Sequence, residues 1–260
     1  MSLMNVLLDS YERKARLYPS LVLVAPVVTM GAAVLTAKIS ALQSLGAVIV
    51  ACGGAFLMSQ LARDAGKKGE KRLFETWGGS PCVAIFRHRD GQLDSITKAR
   101  YHARLATLVE GTKAPTVGEE DADQAVADRI YTAWSNYVRV STRDATRYSL
   151  VFKENVNYGF RRNVWGLRPV GIITCTVCCL IGGARLYQVF GATGVVSEEI
   201  AGSFALSLGF LALWVFRFSA EWVRVPACAY AERLAESVET LGVKAAPDEQ
   251  QVLPRPSTNA

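Results

Sequence analysis

Histidine is almost missing from this chain of 260 residues, which has two, His88 and His102. They stand too far apart for a zinc signature. No H-E-x-x-H, no G-x-S-x-G and no Walker-type glycine loop occurs, so the common metalloprotease, hydrolase and nucleotidase signatures are excluded. Carboxylates in the middle of the chain are scattered among cations, and nothing in that pattern resembles an active site. We therefore expect a protein that is not an enzyme and needs no metal or cofactor. Cysteine is sparse as well, with six residues. Cys175, Cys178 and Cys179 form a C-x-x-C-C inside an apolar run, where small polarizable side chains serve helix packing and no histidine completes a metal set. Cys82 and Cys228 fall in segments expected to be cytosolic and imply no disulfide.

Charge is missing in blocks. Half of the residues are hydrophobic although 20% are charged, and the mean hydropathy of +0.18 reflects segregation of the two. Four windows hold almost no charge: residues 19–37, 39–62, 169–184 with an extension toward Phe190, and 200–216. A membrane-spanning helix needs about 20 apolar residues to cross about 30 Å of hydrocarbon. Three windows reach that length directly. The third is interrupted by Arg185, whose long side chain can snorkel to headgroups while LYQVF continues in the interface. The first window is not read as a cleavable signal, because a second apolar run follows at once.

Cations fix the orientation. Arg13, Lys14 and Arg16 precede the first window; Arg63, Lys67, Lys68, Lys71 and Arg72 follow the second; Arg161, Arg162 and Arg168 precede the third. The loop between the third and fourth holds Glu198 and Glu199 and no lysine or arginine. Positive flanks stay on the cytoplasmic side. The expected fold is an all-α integral membrane protein of four transmembrane helices with a helical cytosolic domain inserted between the second and third. Both termini lie inside, with the turn at Lys38 and the loop 191–199 outside. The domains expected are an amphipathic amino-terminal segment with two spans (1–62), a cytosolic ligand-binding domain (63–163), two further spans (164–218), and a cytosolic helix with a disordered tail (219–260).

Within the middle segment, RDAGKKGEKRLFETW reads as a helix leaving the second span, and CVAIF as a brief extended piece after GGSP. Asp94 is placed to cap a helix whose apolar face is Ile96, Tyr101, Leu105 and Leu108. EGTKAPTVGEEDAD reads as a polar loop. The following helix carries a stripe of Val126, Ile130, Ala133, Trp134, Tyr137 and Val138. SLVFKENVNYGFRRN runs on into the third span, and RRNVWGLRP reads as an interface anchor with Trp165 at the headgroup level and Pro169 in the first turn of the membrane helix. Gly53, Gly54, Gly182 and Gly183 permit close helix approach. Ser203, Ser207 and Gly209 give the fourth span a small, mildly polar side, which favours it as a pore lining with Arg217 near the inner mouth.

Two stretches interleave cations with rings, RHRDGQLDSITKARYHARL and FKENVNYGFRRNVWG. On a helix Lys98 and His102 are neighbours, as are Arg100 and Arg104, with Tyr101 beside them. Such a surface suits a phosphodiester backbone, arginine and lysine meeting phosphates while rings stack on bases. A solvated face, or one held against membrane lipid, accounts for the same pattern.

The runs RHRDGQLDSITKARYH and KENVNYGFRRNVWGLRPVG, with YERKARLYPSLVLVAPV and QLARDAGKKGEKRLFETWGG, resemble the membrane effector of bacterial anti-phage defence systems of the Hailong type. The similarity covers nearly the whole chain before the tail. It implies a homo-oligomeric ion channel of the inner membrane, here expected as a tetramer. Such a channel is kept closed by short single-stranded DNA oligomers from a partner nucleotidyltransferase and opened when infection removes them. The ligand candidates that follow, assigned by charge and ring spacing, are Arg87, His88, Arg89, Lys98, Arg100, His102, Arg104, Tyr158, Arg161 and Arg162. The competing reading is a nonconducting membrane scaffold whose basic domain binds an acidic partner or anionic lipid.

Overall fold

A computed structural model describes residues 12–34 and 41–242, without the side chains of residues 12, 13, 41–53, 55 and 56. The expected outer turn at Lys38 and the tail after Gly242 lie outside the described residues. No strand occurs among those described. A π-helical turn, Glu12–Leu17, leads into α1 (Tyr18–Val34). Then come α2 (Ala41–Trp77), α3 (Pro81–Ala84), α4 (Ser95–Leu108), α5 (Val117–Ala122) and α6 (Gln124–Ser141). The chain continues through α7 (Ser149–Thr193), α8 (Glu198–Ala212) with a π-helical extension Leu213–Arg217, and α9 (Ala220–Glu236) with a 3-10 turn Ser237–Thr240.

Among the described residues, three helices are long and apolar enough to cross a membrane: Lys14–Val34, Ser149–Thr193 and Glu198–Arg217. Their apolar windows are only 28%, 28% and 22% buried within the chain, so side chains such as Val28, Ile173, Leu180 and Phe216 point outward. In water that exposure would be costly; lipid or a neighbouring subunit removes the cost. The expected second span falls on the start of α2, whose side chains there are not described. α1, α7 and α8 close on one another through small groups: Gly182 has Met30 and Phe204 against it, and the Ser203 hydroxyl donates to the Thr29 carbonyl at 3.1 Å. Ser203 and Ser207 are therefore packed inside one chain's bundle, Ser203 against α1, whereas Gly209 of the same expected polar side is exposed.

α7 is the axis of the molecule, with α1, α2, α8 and α9 packed along it. At 45 residues and about 1.5 Å per residue it is about 68 Å long. Pro169 lies in its interior, not in a first turn. The proline leaves the Trp165 carbonyl without its usual partner, but tertiary packing carries the helix through: Gly171 sits on the buried Trp214 ring, so closely that a Cβ would come within 2.3 Å.

The segment between α2 and α7 forms a module with its own core of Ile85, Phe86, Tyr101, Leu105, Tyr131, Trp134 and Val138. Tyr230, Leu234, Val238 and Leu241 complete it, so α9 and the turn after it close the module. CVAIF is a helical turn, not an extended piece, because Pro81 at the first helical position presets the backbone. The polar loop contains α5, started by a capping box of Thr116 and Glu119. Asp94 caps α4 by accepting from the Ile96 and Thr97 amides, and that register turns Lys98, Tyr101, His102 and Leu105 inward while Ile96 is exposed. In α6 the inward stripe is Ala127, Tyr131, Trp134 and Val138, so Trp134 and Val138 lie inward as expected, with Ile130 and Tyr137 half-buried beside them and Val126 exposed.

Candidate functional site

The RHRD stretch forms a knot instead of a surface. Arg87 is buried, its Nε and Nη2 donating to the two Asp128 carboxylate oxygens at 2.8 Å each and its Nη1 to the Gly78 carbonyl at 2.8 Å. The buried Lys98 ammonium donates to the Arg87 carbonyl at 2.7 Å and to the carbonyls of His88 and Asp90. Burial lowers its affinity for a proton, with Asp90 and Glu120 opposing. The His88 amide donates to Glu120 and its Nε2 to the Pro115 carbonyl. Tyr131 donates to the same Glu120 at 2.7 Å. His102 Nε2 faces the Phe86 carbonyl at 2.7 Å, which can only accept, so this nitrogen carries the hydrogen. Its ring meets His88, Tyr131 and Trp134 at centroid distances of 4.9, 5.5 and 5.2 Å. Burial pushes its pKa down to about 4 despite the Phe86 contact, so it is neutral near pH 7.

These groups hold the loop of residues 86–90 to α4, α5 and α6. Lys98 and His102 are helix neighbours as expected, but on the buried face, because a row of loop carbonyls awaits their N–H groups. Arg104 donates to the Leu241 carbonyl, pinning the terminal turn, and Arg100 pairs with Glu239 at 2.6 Å on the surface.

The paired arginines diverge. Arg162, buried, donates to Glu70 at 2.9 Å and to Asn163, whose amide in turn donates to the Ala15 carbonyl at 2.7 Å. Tyr158 donates to the same Glu70 oxygen at 2.8 Å. Burial alone would raise the Glu70 carboxyl, but Arg162, Lys67 and Tyr158 together hold it below the usual carboxylate range. Arg162 and Tyr158 thus tie α7 to α2, and Asn163 ties it to the π-helical turn before α1. Arg161 donates to the Trp222 carbonyl at 2.9 Å and lies over the Trp222 ring, which Arg217 also approaches. The C-x-x-C-C sits where packing was expected, Cys175 in the core with Trp214. Among the described residues no cluster of three or more His, Cys, Asp or Glu could hold a metal.

Of the candidates, Arg87 and Arg89 come together at a polar cavity of about 260 Å³ between the loop after α2 and α9, with Trp77, Gln92, Arg224, Cys228 and the carboxylate residue Asp90, whose Oδ1 accepts from the Gln92 amide. Arg87 is its fixed wall. Arg89 is exposed, with Nη1 donating to Gln124 at 2.8 Å. Arg224 is half exposed and 3.7 Å from Glu221. The Trp77 indole N–H is buried with no acceptor. Two adaptable guanidinium groups and an aromatic ring around a small polar cavity suit one phosphate or one base of a longer chain. Trp77 and Arg224 carry no sequence signal for this site, because they come from the end of α2 and from α9, remote from the RHRD run and outside any pattern. In comparisons with known proteins, no family model, curated protein or solved structure matches this chain.

Proposed function

We propose that this is a homo-oligomeric ion channel of the inner membrane, an anti-phage effector held closed by short single-stranded DNA oligomers and opened on their loss. The observation that carries the reading is the continuity of α7, which starts in the core of the module with Val151 and reaches Leu167 and Cys175 in the membrane bundle. A ligand that favours one placement of the module thereby biases a span directly. It does so only by its difference in affinity between the two gate states. In this reading the oligomer contacts Arg89 and Arg224, with Trp77 under a base, and repeated contacts around an assembly give a steep salt dependence. Buried Arg87, Lys98, His102 and Arg162 shape and brace the module and do not grip phosphate.

The test is the nucleic acid retained by the full-length protein purified from its own cells in mild detergent at low salt. Short single-stranded DNA should co-purify with the wild type and be lost from Arg89→Glu/Arg224→Glu without a change in thermal midpoint. Nuclease-resistant absence of nucleic acid from both proteins would refute it.

A further inference from the structure

We propose that a second cavity, at the membrane boundary between α2 and α7, binds the headgroup of one anionic phospholipid. The cavity encloses about 650 Å³ and its cationic side is formed by Lys68, Arg72 and Arg168. Two carboxylates of the same helix are engaged elsewhere, Glu70 with Lys67 and Arg162, and Glu75 with Lys71, and exposed Asp64 forms no ion pair with Lys68. Lys68 and Arg72 form no ion pair among the described residues. Arg168 is held in place by donating Nε to the Trp214 carbonyl at 3.0 Å and Nη2 to the Val215 carbonyl at 2.9 Å, and Nη1 has no acceptor among the described residues. Three like charges around one cleft repel each other until an anion sits between them.

The depth identifies the anion as a lipid. Pro169 and Ile172 line the same cavity, and beyond them Val170, Ile173 and Val177 are exposed apolar residues of the span. An acyl chain can therefore leave the cationic pocket along α7 without crossing water. The floor is built for close approach: a Cβ on Gly69 would lie 2.5 Å from the Trp165 ring, and one on Gly166 would lie 2.5 Å from the Ala65 backbone. Basic pockets between membrane helices on the cytoplasmic side are general anionic-headgroup sites. The site is separate from the Arg89 and Arg224 cavity, so its failure leaves the DNA reading intact.

Native mass spectrometry of the full chain in detergent, titrated separately with phosphatidylglycerol, phosphatidylcholine and inorganic phosphate, tests the proposal. The expected result is one phosphatidylglycerol per chain, retained in preference to phosphatidylcholine. Each cation beside an anionic headgroup is worth about fivefold in affinity, so Lys68→Gln/Arg72→Gln should weaken retention about 25-fold, with Arg63→Gln as an unaffected control. Equal retention of the two lipids, or a double variant indistinguishable from wild type, overturns the proposal. Saturation by inorganic phosphate alone, or displacement of the lipid by single-stranded DNA, would make this a free-anion or nucleic-acid site and overturn it equally.

Discussion

Glu70→Gln is the smallest change that challenges the junction between module and membrane. The carboxylate meets Arg162 at 2.9 Å and Tyr158 at 2.8 Å. The Arg162 and Glu70 side chains are 7% and 19% exposed. The amide keeps the shape and one acceptor but removes the charge. Arg162 is left as a buried cation, and breaking such a pair from one side costs about 3–5 kcal/mol. The conservative amide places the loss near the low end, about 3 kcal/mol. For a chain of this size each kcal/mol moves the midpoint by about 2–4 °C, so a drop of about 6–12 °C is expected. Differential scanning fluorimetry of the purified protein reads it. Glu75→Gln is the control, since its partner Lys71 is 4.0 Å away and both side chains are exposed; its effect should stay within about 0.5 kcal/mol. Glu70→Leu/Arg162→Met should recover part of the loss by removing both charges. A Glu70→Gln midpoint within about 2 °C of wild type would refute the reasoning.

His102 makes the module acid sensitive in a defined window. Its folded pKa, near 4, lies below the ordinary 6.5, so the unfolded chain binds the proton first. Stability is complete above about pH 6.5 and falls by up to about 3 kcal/mol as pH drops toward 4. Glu120 and Glu70, held below the usual carboxylate range, add their losses only at the acid end of that window. Denaturation midpoints from pH 7 to 4.5 should fall in wild type and in the control His88→Gln, and flatten in His102→Gln. Gly66→Ala should destabilise by about 1–3 kcal/mol, because its Cβ would meet Asn163 Oδ1 at 2.1 Å. Gly202→Ala, with nothing within 4 Å, should be neutral or better in the same thermal assay. Burial pushes the Cys82 thiol up to about 12, so iodoacetamide at pH 8 should label it slowly in the folded protein and readily after denaturation, as peptide mapping would show.

Three of the four expected apolar helices were legible because lipid imposes a length and forbids charge, and that pair of constraints is visible in a linear sequence. Helix starts were legible where a cap is a local event, as at Asp94. The inner face of α4 was not. Lys98 and His102 are polar, and only the carbonyls of residues 86–90, brought there by the fold, make burying them tolerable. The partner of Arg162 stands on another helix, 92 positions away, and no local spacing encodes it. Pro169 reads as a boundary, and only Trp214 against Gly171 shows why the helix passes through it. In the candidate site, Arg89 was visible as charge, whereas Trp77 and Arg224 join it only through the packing of α9.

Ion flux from proteoliposomes containing the full chain tests the central claim most directly. The account predicts flux from protein freed of nucleic acid, suppression by short single-stranded DNA at low salt, and recovery when a nuclease destroys the oligomer. Silent vesicles under all three conditions, or flux indifferent to the oligomer, would contradict it.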